Sequence, residues 1–332
     1  MRRYELVGKC QITLNHDAPT LRPGDGEVLI RIGACTICNR SDLVYYHYLG
    51  ERQHCATGCF GHEIAGTVAA VGPGVSRFGM GERVFVRTPL TSGFADFALA
   101  RQVSVGRLPE MIPFEQGAIL QLLPLAVHAT RGVRLGDRVA IVGQGPVGLM
   151  ATQVVRLRGA IEIAVADLDP WRLERSVTLG VTSAVQANGT ASDLRRLGAD
   201  FDVAIEAVGT PDTANACIEL VRPNGLVVFL GTHHVDTTVA FDLVTWERKG
   251  LRIHTAAEPT DTDRAAAMTV AERLVATGHI ETASLLSAVL PLTELPSALK
   301  RLSASRILYP ADTASPSHTG PPPATLKIAI RP

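Results

Sequence analysis

The 332-residue sequence lacks an excess of charge of either sign, because 32 lysines and arginines balance 32 aspartates and glutamates. A chain without such an excess has no summed field that would concentrate nucleic acid or an anionic membrane surface, so we expect neither as a partner. The sequence also lacks any apolar run of about 18–20 residues that could cross a bilayer, and its first residues lack the apolar stretch of a secretory signal. We therefore expect a cytoplasmic protein.

Cysteine is scarce as well. The chain has six cysteines, which are too few for a disulfide scaffold in a chain of this length, and four of them are clustered at Cys35, Cys38, Cys55 and Cys59. In a reducing compartment, clustered thiols indicate metal binding before they indicate disulfides. With 46% hydrophobic and 19% charged residues, the chain can bury a substantial core, and its length predicts two domains.

The pattern of predicted secondary structure changes along the chain. Short apolar segments separated by glycine and proline turns, such as residues 28–32 and 84–86, predict a small β-rich domain in the first third. From about residue 136, strands such as residues 139–142 alternate with helices, which predicts parallel βαβ units in a doubly wound α/β sheet.

The last part of the chain predicts a helix over residues 264–277 and a short helix near residues 295–302. Residues 303–325 are rich in proline, serine, threonine and alanine, so we expect a mobile surface loop there. An apolar final strand is predicted at residues 326–330.

A glycine-rich turn points to a dinucleotide. The sequence GQGPVG at residues 143–148 matches G-x-G-x-x-G, and it lies between an apolar strand and a helix. Glycines there permit a tight turn, close approach of the backbone to a pyrophosphate and close packing of helix on strand. Asp167 follows at the end of the next strand, where a carboxylate accepts hydrogen bonds from ribose hydroxyls and repels a 2′-phosphate. This favours NAD over NADP, and Arg172 is close enough to stack on the adenine; the alternative is that the glycines form only a tight turn.

Cys38, His62 and Glu63 are the candidate metal ligands. Thiolate, imidazole and carboxylate are the donor types that hold a catalytic Zn²⁺ while one position stays open for water or substrate. The alternative is a closed, inert structural site, because Cys35-x-x-Cys38 and Cys55-x-x-x-Cys59 nearly satisfy a four-thiolate zinc pattern. That pattern has one residue too many in its second pair.

With these motifs the chain resembles the zinc-dependent branch of the medium-chain dehydrogenase/reductase family, the alcohol and polyol dehydrogenases. The segments that carry the resemblance, in order, are ACTIC at 34–38, GHEIAGTV at 61–68, GERV at 81–84, GFADF at 93–97, the glycine turn at 143–148, EAVG at 206–209 and the strand at 326–330. Their order and spacing are more specific than any one of them.

The resemblance implies a GroES-like catalytic domain made from both chain ends, with an inserted Rossmann domain and an active site in the cleft between them. On this basis we predict the catalytic domain at residues 1–127 and 262–332, and the Rossmann NAD-binding domain at residues 128–261. The family also implies a homodimer or homotetramer joined through the Rossmann domains, with residues 251–253 as the edge strand.

The sequence departs from the family in three places. One extra residue separates Cys38 from Ser41-Asp42, and Leu123 occupies the position of a third metal ligand in many relatives. Glu63 is the best substitute ligand, as in some polyol dehydrogenases, and Cys59 is a weaker candidate. Residues 87–92 are too few for the four-cysteine lobe of relatives that bind a structural zinc, so we predict one catalytic zinc per subunit.

The implied reaction is hydride transfer between a secondary alcohol, such as a polyol, a sugar-like compound or a natural product, and NAD. Zinc would lower the pKa of the reacting hydroxyl, and Ser41 and His47 are the candidate hydroxyl and imidazole of a proton relay. His47 could instead be a surface or packing residue. The residues predicted to contact the cofactor are Gly143, Gly145, Pro146, Val147, Asp167, Leu168, Arg172, Ala207, Leu230 and Gly231. The paired His233 and His234 face either the nicotinamide or solvent.

Two other functions are compatible with the sequence. One is a metal-free NAD(P)H-dependent reductase of the same fold, in which Cys38 and His62 have no chemical role. The other is a catalytically silent NAD-binding protein, which the leucine at position 123 and the irregular segment after Cys38 would explain.

Overall fold

The computed structural model describes residues 1–48, 59–187, 191–231, 238–304 and 325–332. Contacts divide the chain into a first unit, Met1–Pro124 with Thr260–Pro332, and a second unit, Leu125–Pro259. The predicted domain boundaries at 127 and 262 lie two or three residues beyond these divisions. Cys55, His233, His234 and most of the predicted 303–325 loop fall outside the described residues.

The strands and helices follow the chain as β1 (Arg3–Gly8), β2 (Gln11–Asn15), β3 (Glu27–Thr36), α1 (Ser41–Tyr48), β4 (Glu63–Val71), β5 (Arg83–Val86), β6 (Phe97–Arg101), β7 (Val105–Arg107), α2 (Phe114–Ile119), α3 (Leu122–Ala129), β8 (Arg138–Val142), α4 (Pro146–Leu157), β9 (Glu162–Asp167), α5 (Pro170–Thr178), β10 (Ser183–Gln186), α6 (Ala191–Leu194), β11 (Phe201–Glu206), α7 (Pro211–Leu220), β12 (Val221–Phe229), α8 (Leu243–Lys249), β13 (Arg252–Thr255), α9 (Asp261–Ala276), β14 (Leu286–Pro291), α10 (Leu295–Ala304) and β15 (Lys327–Arg331).

The first unit is built on a sheet with the strand order β14-β15-β3-β4-β5-β7, in which β6 also pairs with β3. Apolar residues alternate along β3, so that Val28, Ile30 and Ile32 are buried on one face. The last strand of the chain, β15, lies between β14 and β3, so strands from both parts of the first unit share this sheet.

The pairing of β3 with β4 places the candidate metal ligands side by side. The two strands are antiparallel, and their register ends with Thr36 opposite Glu63. Cys38 follows the end of β3 and His62 precedes the start of β4. Because the end of one antiparallel strand meets the start of its neighbour, residues 24 positions apart in sequence become neighbours in space.

The second unit is a parallel sheet with the strand order β10-β9-β8-β11-β12-β13. The order reverses between β8 and β11, which is the arrangement of a doubly wound Rossmann-type sheet and confirms the predicted fold class. The predicted edge strand at residues 251–253 corresponds to β13, at one edge of this sheet. Among the described residues, no helix is both long and apolar enough to traverse a lipid bilayer.

The glycine-rich turn connects β8 to α4, and its three glycines have different roles. Gly143 has a φ of +97°, a left-handed conformation that favours glycine. A Cβ on Gly148 would lie 2.0 Å from the carbonyl oxygen of Gly143, whereas a Cβ on Gly145 would meet nothing within 4 Å. Gly148 therefore permits close packing of helix on strand, and Gly145 leaves the N-terminus of α4 open.

This difference predicts that Gly148→Ala lowers the free energy of unfolding by about 1–3 kcal/mol, because the added methyl group must push the Gly143 carbonyl away. Gly145→Ala is the matched control and should change that free energy by less than about 1 kcal/mol. Urea unfolding followed by tryptophan fluorescence measures both values, since Trp171 and Trp246, the two tryptophans of the chain, lie in the second unit. Equal stability of the two variants would contradict the packing role of Gly148.

Candidate metal centre and cofactor site

The first unit brings three predicted metal ligands together. The thiol of Cys38, the imidazole of His62 and the carboxylate of Glu63 offer donor atoms that all lie within 4.8 Å of one another. His62 and Glu63 are buried, and Cys38 is half-buried. The strand pairing of β3 with β4 therefore produces a compact set of sulfur, nitrogen and oxygen donors.

Asp42 holds the two backbone segments that carry Cys38 and His62. Its fully buried carboxylate accepts a hydrogen bond from the backbone N–H of Cys38 at 2.7 Å and another from the N–H of Gly61 at 2.8 Å. Oδ2 accepts from the segment of Cys38 and Oδ1 accepts from the segment of Gly61, so a single side chain fixes the separation of the two segments. The extra residue after Cys38 does not prevent this contact.

The orientation of His62 follows from its second nitrogen. Its Nδ1 lies 3.0 Å from the carbonyl oxygen of Cys59, and because a carbonyl only accepts, Nδ1 carries a proton and donates it. Nε2 is thereby left as the nitrogen for a metal, which is the usual way in which an outer hydrogen bond fixes a histidine ligand.

The charges at the site favour a deprotonated thiol. Burial alone raises the pKa of Cys38, but His62 outweighs it by attraction and by a hydrogen bond, so the pKa of Cys38 lies below its usual value. Burial lowers the pKa of His62, yet the thiolate of Cys38 and the carboxylates of Asp42 and Glu63 raise it to about 9. Burial raises the pKa of Asp42 to about 6, against the opposing effects of His62 and the two backbone N–H groups.

Glu63 is paired with a buried lysine from the last strand. The Nζ of Lys327 lies 2.6 Å from each carboxylate oxygen of Glu63, and both side chains are almost fully buried. The hydroxyl of Thr36 donates to Oε2 of Glu63, and Lys327 also donates to the carbonyl of Ile37 at 3.2 Å. A carboxylate has about four lone-pair sites, so these contacts leave one site on Oε1 for a further partner.

Cys35 and Cys59 are not members of this donor set. Cys35 is fully buried and its thiol donates to the carbonyl of Gly61 at 3.5 Å; burial, with Asp42 and Glu63, raises its pKa well above the usual value. The sulfur of Cys59 lies 3.6 Å from the carbonyl of Pro89. A protonated Cys35 does not suit the four-thiolate alternative, and Cys55 lies outside the described residues.

Three further residues singled out by the sequence have other surroundings. Ser41 is buried at the start of α1, and Leu123 is a fully buried apolar side chain. Nδ1 of His47 lies 3.3 Å from the sulfur of Cys10, and Nε2 lies 2.7 Å from the hydroxyl oxygen of Ser303. Both ring nitrogens of His47 therefore have partners outside the donor set, and its relay role stays a prediction.

In the second unit, the predicted cofactor residues lie at the carboxyl ends of parallel strands. Gly143 follows β8, Asp167 ends β9, Ala207 follows β11 and Leu230 follows β12. Gly145 is the N-cap of α4 and Pro146 is its first residue, with Val147 and Gly231 adjacent in sequence to these positions. Ligands of doubly wound sheets bind along this edge, close to the strand reversal between β8 and β11.

Asp167 is buried, but its carboxylate keeps hydrogen-bonding capacity. Oδ2 accepts from the N–H of Gln144 at 2.6 Å, and Oδ1 accepts from the N–H of Asp169 at 2.9 Å. Arg172 lies 3.4 Å from Asp167 and 3.0 Å from Asp169. Leu168 is largely exposed.

The sequence analysis missed Asp42, Lys327 and Glu206 as site-forming residues. Glu206 ends β11, is fully buried, and accepts from the N–H groups of Val208 and Gly209 at 2.8 and 2.7 Å, so it shapes the turn beside the glycine-rich loop. Asp42 could have been found from its position four residues after Cys38. The pairing of Lys327 has no local signal, because its partner lies 264 residues away.

Comparison with known proteins agrees with this architecture. Residues 24–112 match the family "Alcohol dehydrogenase GroES-like domain" and residues 146–272 match "Zinc-binding dehydrogenase". Sorbitol dehydrogenase of Bacillus subtilis is 31% identical over 66% of this chain and 69% of its own length. Sorbitol dehydrogenase of Homo sapiens is 30% identical over 67% of this chain and 72% of its own. The structure of alcohol dehydrogenase TADH from Thermus sp. ATN1 has a TM-score of 0.79 and 25% identity, covering 100% of this chain and 99% of that one.

The fold and these matches define an oxidoreductase with a GroES-like and a Rossmann-type domain. The chain belongs to the zinc-type medium-chain dehydrogenase/reductase family, which confirms the resemblance seen in the sequence.

The buried pair predicts a large loss of stability for Lys327→Met. Removing the ammonium leaves the Glu63 carboxylate buried without its counter-charge, which typically costs about 3–5 kcal/mol. Adding Glu63→Gln to Lys327→Met should recover part of the lost free energy of unfolding, because position 63 then carries no buried, unpaired charge. The control is Arg101→Met, which breaks an exposed ion pair with Asp261 in the same unit and should cost less than about 1 kcal/mol. Chemical denaturation of the three variants tests this, and equal losses for Lys327→Met and Arg101→Met would contradict it.

Proposed function

We propose that the protein is a zinc- and NAD-dependent dehydrogenase that oxidises a secondary alcohol of the polyol type to a ketone. The observation that carries the proposal is the donor set of Cys38, His62 and Glu63, whose ligand atoms lie within 4.8 Å of one another. Membership of a family of zinc-binding dehydrogenases supports it.

The donor set fits a zinc ion in its chemistry. Cys38 supplies a sulfur whose pKa lies below the usual value after burial is offset by His62, His62 offers Nε2, and Glu63 retains a lone pair on Oε1. Thiolate, imidazole and carboxylate are established zinc ligands, and three protein ligands leave a position open. Leu123 adds no donor, so Glu63 is the third ligand in this proposal.

Lys327 sets the net charge of the site. The thiolate and the carboxylates of Glu63 and Asp42 carry three negative charges, and Lys327 cancels one of them through its contacts of 2.6 Å with Glu63. A divalent ion would then bring the net charge of these groups to zero. When bound, zinc supplies a Lewis acid that lowers the pKa of the substrate hydroxyl. Asp42 and the carbonyl of Cys59 keep Cys38 and His62 in place while the substrate proton is lost.

The second unit supplies the cofactor contacts. NAD, when bound, supplies the acceptor for the hydride that leaves the carbinol carbon. The open N-terminus of α4 at Gly145 offers N–H groups to the pyrophosphate, and Asp167 accepts from the ribose hydroxyls and repels a 2′-phosphate. Ser41 remains the candidate hydroxyl for the proton.

The polyol class comes from the relatives. Two of them are sorbitol dehydrogenases, and a third relative, at 28% identity, is a butanediol dehydrogenase of Bacillus subtilis. Sorbitol and butanediol, the compounds in these names, each have more than one hydroxyl group. A panel of polyols assayed by NADH absorbance tests the class directly.

The cytoplasmic location and the homodimer or homotetramer joined at β13 stay predictions of the sequence analysis.

Cys38→Ser tests the zinc part of the proposal. The variant should retain less than about one tenth of the zinc and lose turnover, because a serine hydroxyl is a far weaker zinc ligand than a thiolate. Binding of NAD should be nearly unchanged, since its contacts lie in the other unit. Metal analysis of the purified protein and calorimetric titration with NAD measure the two properties.

The control is Cys59→Ser, whose sulfur contacts Pro89 rather than the donor set; it should keep about one zinc per subunit. Retention of zinc by Cys38→Ser, or loss of NAD binding with zinc retained, would refute the proposed division of roles. A wild-type protein that is active without zinc would favour the metal-free reductase instead.

Asp167→Asn tests the choice of cofactor. Removing the carboxylate charge removes its repulsion of a 2′-phosphate. It also removes one of the two carboxylate partners of Arg172, which lies 3.4 Å from Asp167 Oδ1 and 3.0 Å from Asp169 in the wild type, so that Arg172 attracts a phosphate more strongly. We expect the ratio of kcat/KM for NAD over NADP to fall by about tenfold or more, which corresponds to roughly 1.4 kcal/mol. Asp169→Asn removes the same charge two positions away and should shift the ratio less. An unchanged ratio in Asp167→Asn would count against its assigned role.

A further inference from the structure

Cys10, His47 and Ser303 form a second polar cluster in the first unit, apart from the donor set. Cys10 is an exposed residue in the turn between β1 and β2. Its sulfur lies 3.3 Å from Nδ1 of His47 on α1, and Nε2 of His47 lies 2.7 Å from the hydroxyl of Ser303 on α10. The β1–β2 turn and α10 thus each bring a side chain to the imidazole on α1.

The contacts of Ser303 define the tautomer in which His47 can act as a base. The hydroxyl of Ser303 has one hydrogen, and the carbonyl of Leu299 lies 2.8 Å from its oxygen. When that hydrogen goes to the carbonyl, the oxygen accepts from Nε2 of His47 and the neutral ring presents the lone pair of Nδ1 to the sulfur. In that tautomer the thiol of Cys10 donates to Nδ1. A nucleophile, a base and a group that orients the base are the arrangement of an activated nucleophile.

The backbone holds the thiol in this position. Cys10 has a φ of +57°, a left-handed conformation that a side chain other than glycine or asparagine adopts at a cost, and its N–H donates to the carbonyl of Tyr46 at 2.7 Å. Desolvation by surrounding atoms raises the pKa of the thiol, against an opposing effect of Lys9. The resting sulfur is thus protonated at neutral pH, and its reaction requires a base.

We propose that Cys10 is a site of modification by thiol–disulfide exchange with a small-molecule disulfide, with His47 as the general base. As the sulfur of Cys10 attacks, its proton passes to Nδ1 of His47, the disulfide bond of the reagent breaks, and a bond forms between Cys10 and one of its sulfurs. The second sulfur leaves as a thiolate and takes the proton from His47. Cys10 is oxidised to a mixed disulfide and one half of the reagent is reduced to a thiol, so no other oxidant is required. The proposal is independent of zinc and of NAD.

The test is the rate at which oxidised glutathione modifies Cys10 in the full-length, zinc-loaded protein. Intact mass spectrometry follows the added mass and peptide mapping locates it. His47→Gln should slow the modification of Cys10 by at least about tenfold, a conservative threshold below the roughly 10²–10⁴-fold that a positioned base typically supplies. Ser303→Ala should slow it less, because the ring then loses the acceptor that fixes its tautomer. If His47→Gln does not fold, the Ser303→Ala variant provides the test.

A matched control moves the thiol by one residue. The double variant Lys9→Cys, Cys10→Ser presents an exposed thiol in the same turn, without the imidazole contact, and should react at least about tenfold more slowly than wild-type Cys10. Thermal unfolding confirms that each variant is folded. An unchanged rate in His47→Gln and Ser303→Ala, or a control thiol that reacts as fast as Cys10, would overturn the proposal and show that the three side chains only hold the turn against the helices.

Discussion

The buried ion pair between Glu63 and Lys327 is the constraint on which the first unit depends. An ammonium and a carboxylate that are almost fully buried remain charged only if they stay in contact, and their contact of 2.6 Å joins the start of β4 to the start of β15. The residues lie 264 positions apart, so the last strand must be inserted beside β3 before the pair can form. The second unit is therefore an insertion into a sheet that only the chain terminus completes.

This constraint extends to the candidate metal ligands. Glu63 neighbours His62 in sequence and faces Thr36 across the strand pair, and Cys38 follows Thr36 by two residues. Asp42 then joins the N–H of Cys38 to that of Gly61. Each ligand is thus held by hydrogen bonds or ion pairs of its own segment, so the polypeptide contributes to the spacing of the donor atoms. Such preorganisation lowers the cost of gathering three donors around one ion.

Much of this architecture could be predicted from the sequence, because its signals are local. The strand, glycine turn and helix from β8 to α4, the acidic residue ending β9 and the helix at α9 all follow from short-range patterns. Lys327 could not be recognised, since a lysine in an apolar strand gives no indication of a partner in the first fifth of the chain. Glu206 was missed because its carboxylate accepts hydrogen bonds from N–H groups of the turn that follows it. Such a role can be recognised only when the path of the backbone is known.

Helix α1 carries both Asp42 and His47, although the two side chains have different partners. The helix begins at Ser41, shortly after Cys38. Asp42 and His47 are five positions apart on that helix, which separates them by about 7.5 Å along the axis and about 140° around it. One end of α1 therefore faces the metal ligands, while the other presents an imidazole to Cys10 and Ser303. A single helix can serve two sites because its geometry separates side chains that the sequence places close together.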